Sequence, residues 1–162
     1  MCTLRPKNEG GKFTGSEKER KSILKLISEY NPFLLDVEFN TLKKDQKLRQ
    51  YLKKSKTVIL VSWHDFKKTP NIKKLNSTLK EMRKFSNHVK IVTVAKSIND
   101  TSNILSLYNK SSKIKLIAFA MGEEARFSRI LCLHLGSPFT YVSLGKAIAS
   151  GQFSLNDIKS FQ

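Results

Sequence analysis

Lys90 stands inside Val89-Lys90-Ile91-Val92-Thr93-Val94, an apolar run rich in β-branched residues that reads as a buried strand. An ammonium taken out of water without a partner is costly, so a lysine there tends toward a depressed pKa and a neutral amine. That is the form that condenses with a ketone to give an imine. A lysine that snorkels to solvent from the start of a strand is the plain alternative. Lys115, in Ile114-Lys115-Leu116-Ile117, has almost the same pattern, and periodicity does not choose between the two. His64, in Trp63-His64-Asp65-Phe66, can serve as a general acid and base because imidazole titrates near neutrality. A loop histidine that hydrogen-bonds locally is an equal reading, whereas His88 and His134 read better as surface or packing residues.

Other polar groups have chemistry to offer. Arg129 could clamp a carboxylate through its forked guanidinium, although a surface arginine is the commoner case. Glu9, beside Gly10-Gly11, could orient His64 or cap a turn. Asp36 and Glu38 alternate along one strand and point to the same face, where two buried carboxylates need partners. The two cysteines, Cys2 and Cys132, and the three histidines show neither a disulfide framework nor a metal-ligand spacing. No glycine-rich dinucleotide fingerprint or phosphate loop follows a predicted strand. No metal and no cofactor are therefore expected.

These residues need a scaffold. Near-continuous apolar runs at 34–39, 57–62, 89–95, 114–120 and 139–144 suit parallel strands covered on both faces. With the end of a further strand at 2–5, they make six. Amphipathic stretches at 16–30, 41–54, 72–85, 98–108 and 123–135 predict helices between them, with a short last helix after Leu155. Ser16 with Glu19 three residues on reads as a capping box, and Asn31-Pro32 ends that helix. Thr69-Pro70-Asn71 opens another helix, and Gly136 with Pro138 closes the fifth. Repeated strand–helix units predict a parallel α/β fold, either an open doubly wound sheet or a barrel. In such folds the chemistry collects at the C-terminal ends of the strands. Arg5 to Gly11, His64, Met121-Gly122 with Arg129, and Ser150-Gly151-Gln152 all follow predicted strands.

The 162 residues are 40% hydrophobic, enough for a core in one domain spanning 1–162. No apolar run approaches the roughly 20 residues that span a bilayer, and the opening Met-Cys-Thr-Leu-Arg-Pro-Lys has no apolar signal region. A cytoplasmic protein is the expectation. The net charge of +17 suits a nucleic-acid binder or a protein that attracts anionic substrates. The lysines, however, are scattered over every predicted helix, as in Lys43-Lys44, Lys53-Lys54, Lys67-Lys68 and Lys73-Lys74, which is the pattern of a solvated surface.

Taken together, the motifs resemble the type I 3-dehydroquinate dehydratase family, from Thr3 to about Phe161. Thr3-Leu4-Arg5 with Glu9-Gly10-Gly11 is similar to that family's arginine and Glu-Gly-Gly segment, and Asp36-Val37-Glu38 to its Asp-x-Glu strand. Ser62-Trp63-His64-Asp65-Phe66 with Thr69-Pro70 is similar to its histidine motif, with Trp where tyrosine is common. Val89-Lys90-Ile91 looks like its lysine strand. Met121-Gly122, Ser128-Arg129 and Gly136-Ser137-Pro138-Phe139-Thr140 look like its arginine segment, and Gly151-Gln152-Phe153-Ser154 like its C-terminal loop. Six motifs fall in the family's order.

The resemblance implies a TIM-type (β/α)8 barrel and conversion of 3-dehydroquinate to 3-dehydroshikimate plus water, on the shikimate pathway to aromatic amino acids. It implies Lys90 as Schiff-base nucleophile, His64 as proton shuttle and Glu9 as the group that holds His64. Arg129 would bind the substrate carboxylate, with Arg5 and Gln152 on its hydroxyls. It also favours Lys90 over Lys115. The partner expected is the small-molecule substrate rather than a membrane or nucleic acid, and a homodimer is left open. Two departures stand out. Ile148 occupies a position where the family carries a hydroxyl, with Ser150 nearby. The pattern also enters at the family's third strand, so about six β/α units and an N-terminally truncated barrel are expected. Rival readings are an inactive remnant of the family, a related Schiff-base aldolase, and a basic nucleic-acid-binding α/β protein.

Overall fold

Several helix starts in this chain are set by side chains that satisfy the first free amides. The computed structural model describes residues 1–110, 113–147 and 149–160. In it, Ser16 accepts from the Glu19 amide, and Glu19 accepts from the Ser16 amide at 2.7 Å. This capping box starts α1 (Glu17–Glu29) as the sequence predicts, and Asn31 follows its end with φ 48°.

The stretch predicted as one helix over 41–54 is two, α2 (Phe39–Lys44) and α3 (Gln46–Lys54). Asp45 sits between them in extended conformation and caps α3 by accepting from the Leu48 amide at 2.8 Å. Neither glycine nor proline marks this break, so the apolar period runs through it unnoticed. Further on come α4 (Ile72–Met82), α5 (Ile98–Leu105), α6 (Ser128–His134) and α7 (Leu155–Lys159). Ser97 caps α5, and a second capping box, between Ser154 and Asp157, starts α7.

The strands are β1 (Cys2–Thr3), β2 (Leu34–Glu38), β3 (Val58–Asp65), β4 (His88–Val94) and β5 (Lys115–Met121). They form one parallel five-stranded sheet in the order β1-β2-β3-β4-β5. Every residue of β2 is buried, as a strand covered on both faces requires. Spatial order follows chain order without reversal. A doubly wound sheet reverses at a switch point, so of the two α/β arrangements open to the sequence this winding is the barrel type.

The sixth predicted strand, 139–144, joins no sheet. Phe139 and Tyr141 pack edge to face at 5.6 Å, and Tyr141 lies 6.2 Å from Phe119. Among the described residues, Ser143 alone of this segment makes a bridge, with Ser154. The apolar character of this segment serves ring packing on β5 rather than a strand covered on both faces.

The chain divides into two compact units. The first comprises 1–64 and 81–90, and the second 65–80 and 91–162. In the first, Leu24, Leu35, Val37, Leu48, Leu60 and Val61 are fully buried or nearly so. In the second, the core gathers Ile91, Ile104, Leu107, Leu116 and Ile117. Among the described residues no helix is long and apolar enough to cross a membrane.

Candidate functional site

Arg5 is held by the chain folding back on itself just past β1. Residues Lys7–Glu9 form a single 3-10 turn, closed by Gly10 at φ 77°. Gly11 and Phe13 then bond back to Pro6 and Arg5: the Gly11 amide reaches the Pro6 carbonyl at 3.0 Å and the Phe13 amide the Arg5 carbonyl at 3.3 Å. A Cβ on Gly11 would lie 1.9 Å from the Arg5 carbonyl oxygen, so only glycine permits this approach. The Glu-Gly-Gly segment thereby fixes both Arg5 and Glu9.

Strand register does the rest. Thr3 stands beside Asp36, Asp36 beside Leu60, and Glu38 beside Ser62. Positions two apart share a face, so Asp36 and Glu38 on β2 and Ser62 and His64 on β3 project together. The Asp36 carboxylate is the hub. Its Oδ2 accepts from Arg5 Nη2 at 2.8 Å and from Lys90 Nζ at 3.3 Å, and its Oδ1 accepts from the Ser62 hydroxyl at 2.5 Å. Arg5 Nη1 reaches Ser62 Oγ at 3.2 Å, His64 Nδ1 at 3.1 Å and Glu38 Oε1 at 3.4 Å. Arg5, Glu9, His64 and Lys90, which the sequence singles out separately, therefore meet in the first unit.

Electrostatics sharpen the picture. Asp36 is 1% exposed. Burial alone would lift its carboxyl, but the charges of Lys90 and Arg5, the Ser62 hydrogen bond and His64 outweigh it and hold the group below the usual carboxylate range. Burial is also the largest influence on His64, and with the cations Lys90 and Arg5 it drives the imidazole down to about 2. Burial lifts Glu9 above its ordinary value against the Asn40 hydrogen bond and the charge of Arg5. Lys90 is buried, 8% exposed, as the sequence predicts, but it is paired. Asp36 at 3.3 Å opposes the push toward a neutral amine that burial without a partner would give.

Glu9 Oε2 lies 3.9 Å from His64 Nδ1, beyond hydrogen-bonding distance, and has no hydrogen-bond partner among the described residues; Glu9 Oε1 accepts from Asn40. His64 Nδ1, the ring nitrogen that lies toward Glu9, is bonded by Arg5.

In the second unit, Arg129 lies in the first turn of α6, since residues 123–127 form turns rather than the predicted opening of that helix. Ser128 ties the helix start to β5, its hydroxyl accepting from the Ala120 amide at 3.0 Å. Arg129 is 3% exposed. Its guanidinium stacks 4.5 Å over Phe119 and donates to the Ser150 carbonyl at 3.2 Å, while Nε has no hydrogen-bond partner among the described residues. Burial draws its pKa down to about 10. Ser150, Gly151 and Gln152 line a cleft with Glu123 and Arg126. Gly151, at φ 67°, packs so closely that a Cβ would meet the Gly122 carbonyl oxygen at 2.5 Å. Ile148 lies outside the described residues.

One buried residue gave no functional signal in the sequence. Arg20, 0% exposed, binds Glu17 through Nε and Nη2 at 2.7 and 2.8 Å, Glu38 at 2.6 Å, the Leu4 carbonyl at 3.1 Å and Thr41 at 2.6 Å. Burial works against this cation, yet its bonds to Glu17 and the charge of Glu38 keep its pKa above the ordinary value. It binds Glu38 at Oε2, whereas Arg5 reaches Oε1.

The winding of the sheet and the lysine–carboxylate–histidine cluster at its strand ends define a parallel α/β protein with charged and titratable side chains buried together. The chain matches the type I 3-dehydroquinase family over residues 1–161, and it belongs to that family. It is 42% identical over 158 residues to the 3-dehydroquinate dehydratase of Dehalococcoides mccartyi (strain BAV1), covering 96% of this chain and 70% of that protein. It is 39% identical over 162 residues to the 3-dehydroquinate dehydratase of Methanococcus maripaludis (strain C6), covering 98% and 73%. The 3-dehydroquinate dehydratase of Geobacillus kaustophilus superposes with a TM-score of 0.86 at 23% identity, over 98% of this chain and 64% of that one. The enzyme of Aquifex aeolicus gives 0.80 at 27%, over 97% and 69%.

Proposed function

We propose that residues 1–162 act as one catalytic domain that removes water from 3-dehydroquinate through an imine on Lys90. The observation that carries this reading is the Lys90 ammonium buried 3.3 Å from the Asp36 carboxylate, with Arg5 and His64 in the same cluster. The nitrogen condenses with the substrate ketone and the carbonyl oxygen leaves as water. The resulting iminium acidifies the adjacent C–H, because the electrons left behind flow onto nitrogen. His64 takes that proton and returns one to the departing hydroxyl.

For that task His64 must offer a free Nε2. At rest Nδ1 accepts from Arg5, and a neutral imidazole so held carries its proton on Nε2. Arg5, drawn to a substrate hydroxyl, releases Nδ1, which then faces Glu9 Oε2 at 3.9 Å. A proton on Nδ1, held by that carboxylate, leaves Nε2 as the base. Arg129, desolvated and with Nε unpartnered, supplies the forked donor for the substrate carboxylate, and Gln152 contacts a hydroxyl.

A cytoplasmic homodimer goes with this reading. Residues 97–109 contain no lysine or arginine, although the chain carries a net charge of +17. Ile98, Phe127, Leu131 and Leu135 are exposed around α5 and α6, so two copies can meet there without lysines facing lysines. Sedimentation equilibrium tests it: Leu131→Glu is expected to give monomer, and an unchanged mass contradicts this face.

The reaction itself is tested by ultraviolet absorbance of the conjugated enone formed when the chain is given 3-dehydroquinate. The parent is expected to turn over, and His64→Ala to lose on the order of 10²–10⁴-fold in rate. A folded His64→Ala chain as fast as the parent overturns the reading.

A further inference from the structure

The Asp-x-Glu pair on β2 is left over once nucleophile, proton shuttle and substrate contacts have been assigned. Resting on the imine reading above, we propose that Asp36 is the counter-ion of the nitrogen of Lys90 throughout the reaction, with Arg5 as its second cation on the same carboxylate oxygen.

The geometry argues it in three steps. First, Asp36 Oδ2 accepts from both Arg5 Nη2 at 2.8 Å and Lys90 Nζ at 3.3 Å, and Oδ1 is fixed by Ser62 at 2.5 Å. A carboxylate pinned at both oxygens, in a site where it is 1% exposed, is a stationary negative charge whose orientation does not have to be reorganised as the reaction proceeds.

Second, the charge on nitrogen follows a definite course. An ammonium R–NH3+ and a ketone give an iminium and water: two hydrogens leave nitrogen with the carbonyl oxygen and one remains. The nitrogen sheds one proton to attack the ketone and is neutral at that moment; before this step and as the iminium it carries one positive charge next to the same oxygen of Asp36. When the adjacent C–H loses its proton to His64, the C–H electron pair forms a carbon–carbon double bond and the C=N pair moves onto nitrogen, which becomes neutral. Expulsion of the hydroxyl, protonated by His64 and released as water, restores the cation. From substrate iminium to product iminium, charge on nitrogen thus runs from one to zero to one.

Third, a lone counter-ion would oppose the neutral stage, because it would be left buried and unpaired. Arg5 removes that objection, since it stays a cation at every stage and binds the same oxygen. The charged and titratable groups around this centre come from four neighbouring strands: Arg5 after β1, Asp36 and Glu38 on β2, Ser62 and His64 on β3, Lys90 on β4, with Glu9 from the turn after β1.

The test reads the nitrogen directly. The full chain is treated with glyoxylate and cyanoborohydride across a pH series, and modification of Lys90 is followed in the peptide map. Asp36→Asn is expected to lower the pH midpoint of Lys90 modification by about one unit or more. Asp36→Glu, which keeps the charge, is expected to stay within about half a unit of the parent. A folded Asn variant with an unmoved midpoint, or a Glu variant shifted as far as the Asn one, overturns the assignment. The parent needs no substitution: nitrogen NMR at neutral pH should show Lys90 as an ammonium beside Asp36, and a neutral amine there contradicts a counter-ion. Neither readout requires turnover of 3-dehydroquinate, so failure of the dehydratase reading and failure of this assignment show separately.

Discussion

Arg5 donates from Nη1 to Nδ1 of His64 across 3.1 Å. A guanidinium has five donors and no acceptor, so Nδ1 is the acceptor and the neutral ring carries its proton on Nε2. This one contact sets the resting state of the proposed base. In nitrogen NMR the parent should show the Nε2–H tautomer. Arg5→Gln should shift the population toward Nδ1–H, facing Glu9. An unchanged tautomer in the folded variant would show that Arg5 does not control it.

His64 also makes stability depend on pH. Its folded pKa is about 2 against an ordinary 6.5, so below pH 6.5 the unfolded chain takes a proton that the folded chain refuses. The unfolded state binds more protons, and stability falls as pH falls through the window from 6.5 toward 2. At pH 5 this is worth about 2 kcal/mol. Urea unfolding of the parent and of His64→Gln at pH 7 and pH 5 should give a smaller loss in the variant by about that amount. Equal losses contradict a neutral buried imidazole.

Arg20→Ala leaves Glu38 buried beside Arg5 alone and Glu17 without its bidentate partner. Breaking a buried pair in this way costs about 3–5 kcal/mol. Denaturant titration should report that loss. A change within about 0.5 kcal/mol would mean that the network around Arg20 adds nothing to the fold.

Gly11→Ala forces a Cβ to within 1.9 Å of the Arg5 carbonyl oxygen, a backbone atom that cannot yield without moving Arg5. A destabilisation of about 2 kcal/mol or more is expected, together with loss of the Arg5 influence on the His64 tautomer. A variant with parent stability and tautomer would mean that the loop has room that the geometry denies.

What the sequence reveals depends on how local the cause is. The capping box of Ser16 and Glu19 is legible because both partners lie in one turn. The break at Asp45 is hidden because an aspartate can cap a helix without glycine or proline to announce it. Lys90 and Lys115 look alike along the chain, yet Lys90 meets Asp36 from two strands away in the sheet whereas Lys115 is exposed at the start of β5. Long-range register cannot be read from local pattern. The pairing of Lys90 likewise had no local signal, and the reading of an unpartnered amine gives way to an ion pair. Arg20 could have been found: with Leu24 and Ser28 it lies on the buried face of α1 at spacing four, so a helical stripe drawn backward from Leu24 reaches it.

The central claim is that Lys90 becomes covalently joined to the substrate. Incubation of the full chain with 3-dehydroquinate and borohydride, followed by mass mapping of the peptides, tests it most directly. The account predicts a reduced adduct on the peptide that carries Lys90, absent in Lys90→Met. An adduct on Lys115 or another lysine instead, or no adduct on the folded chain, contradicts it.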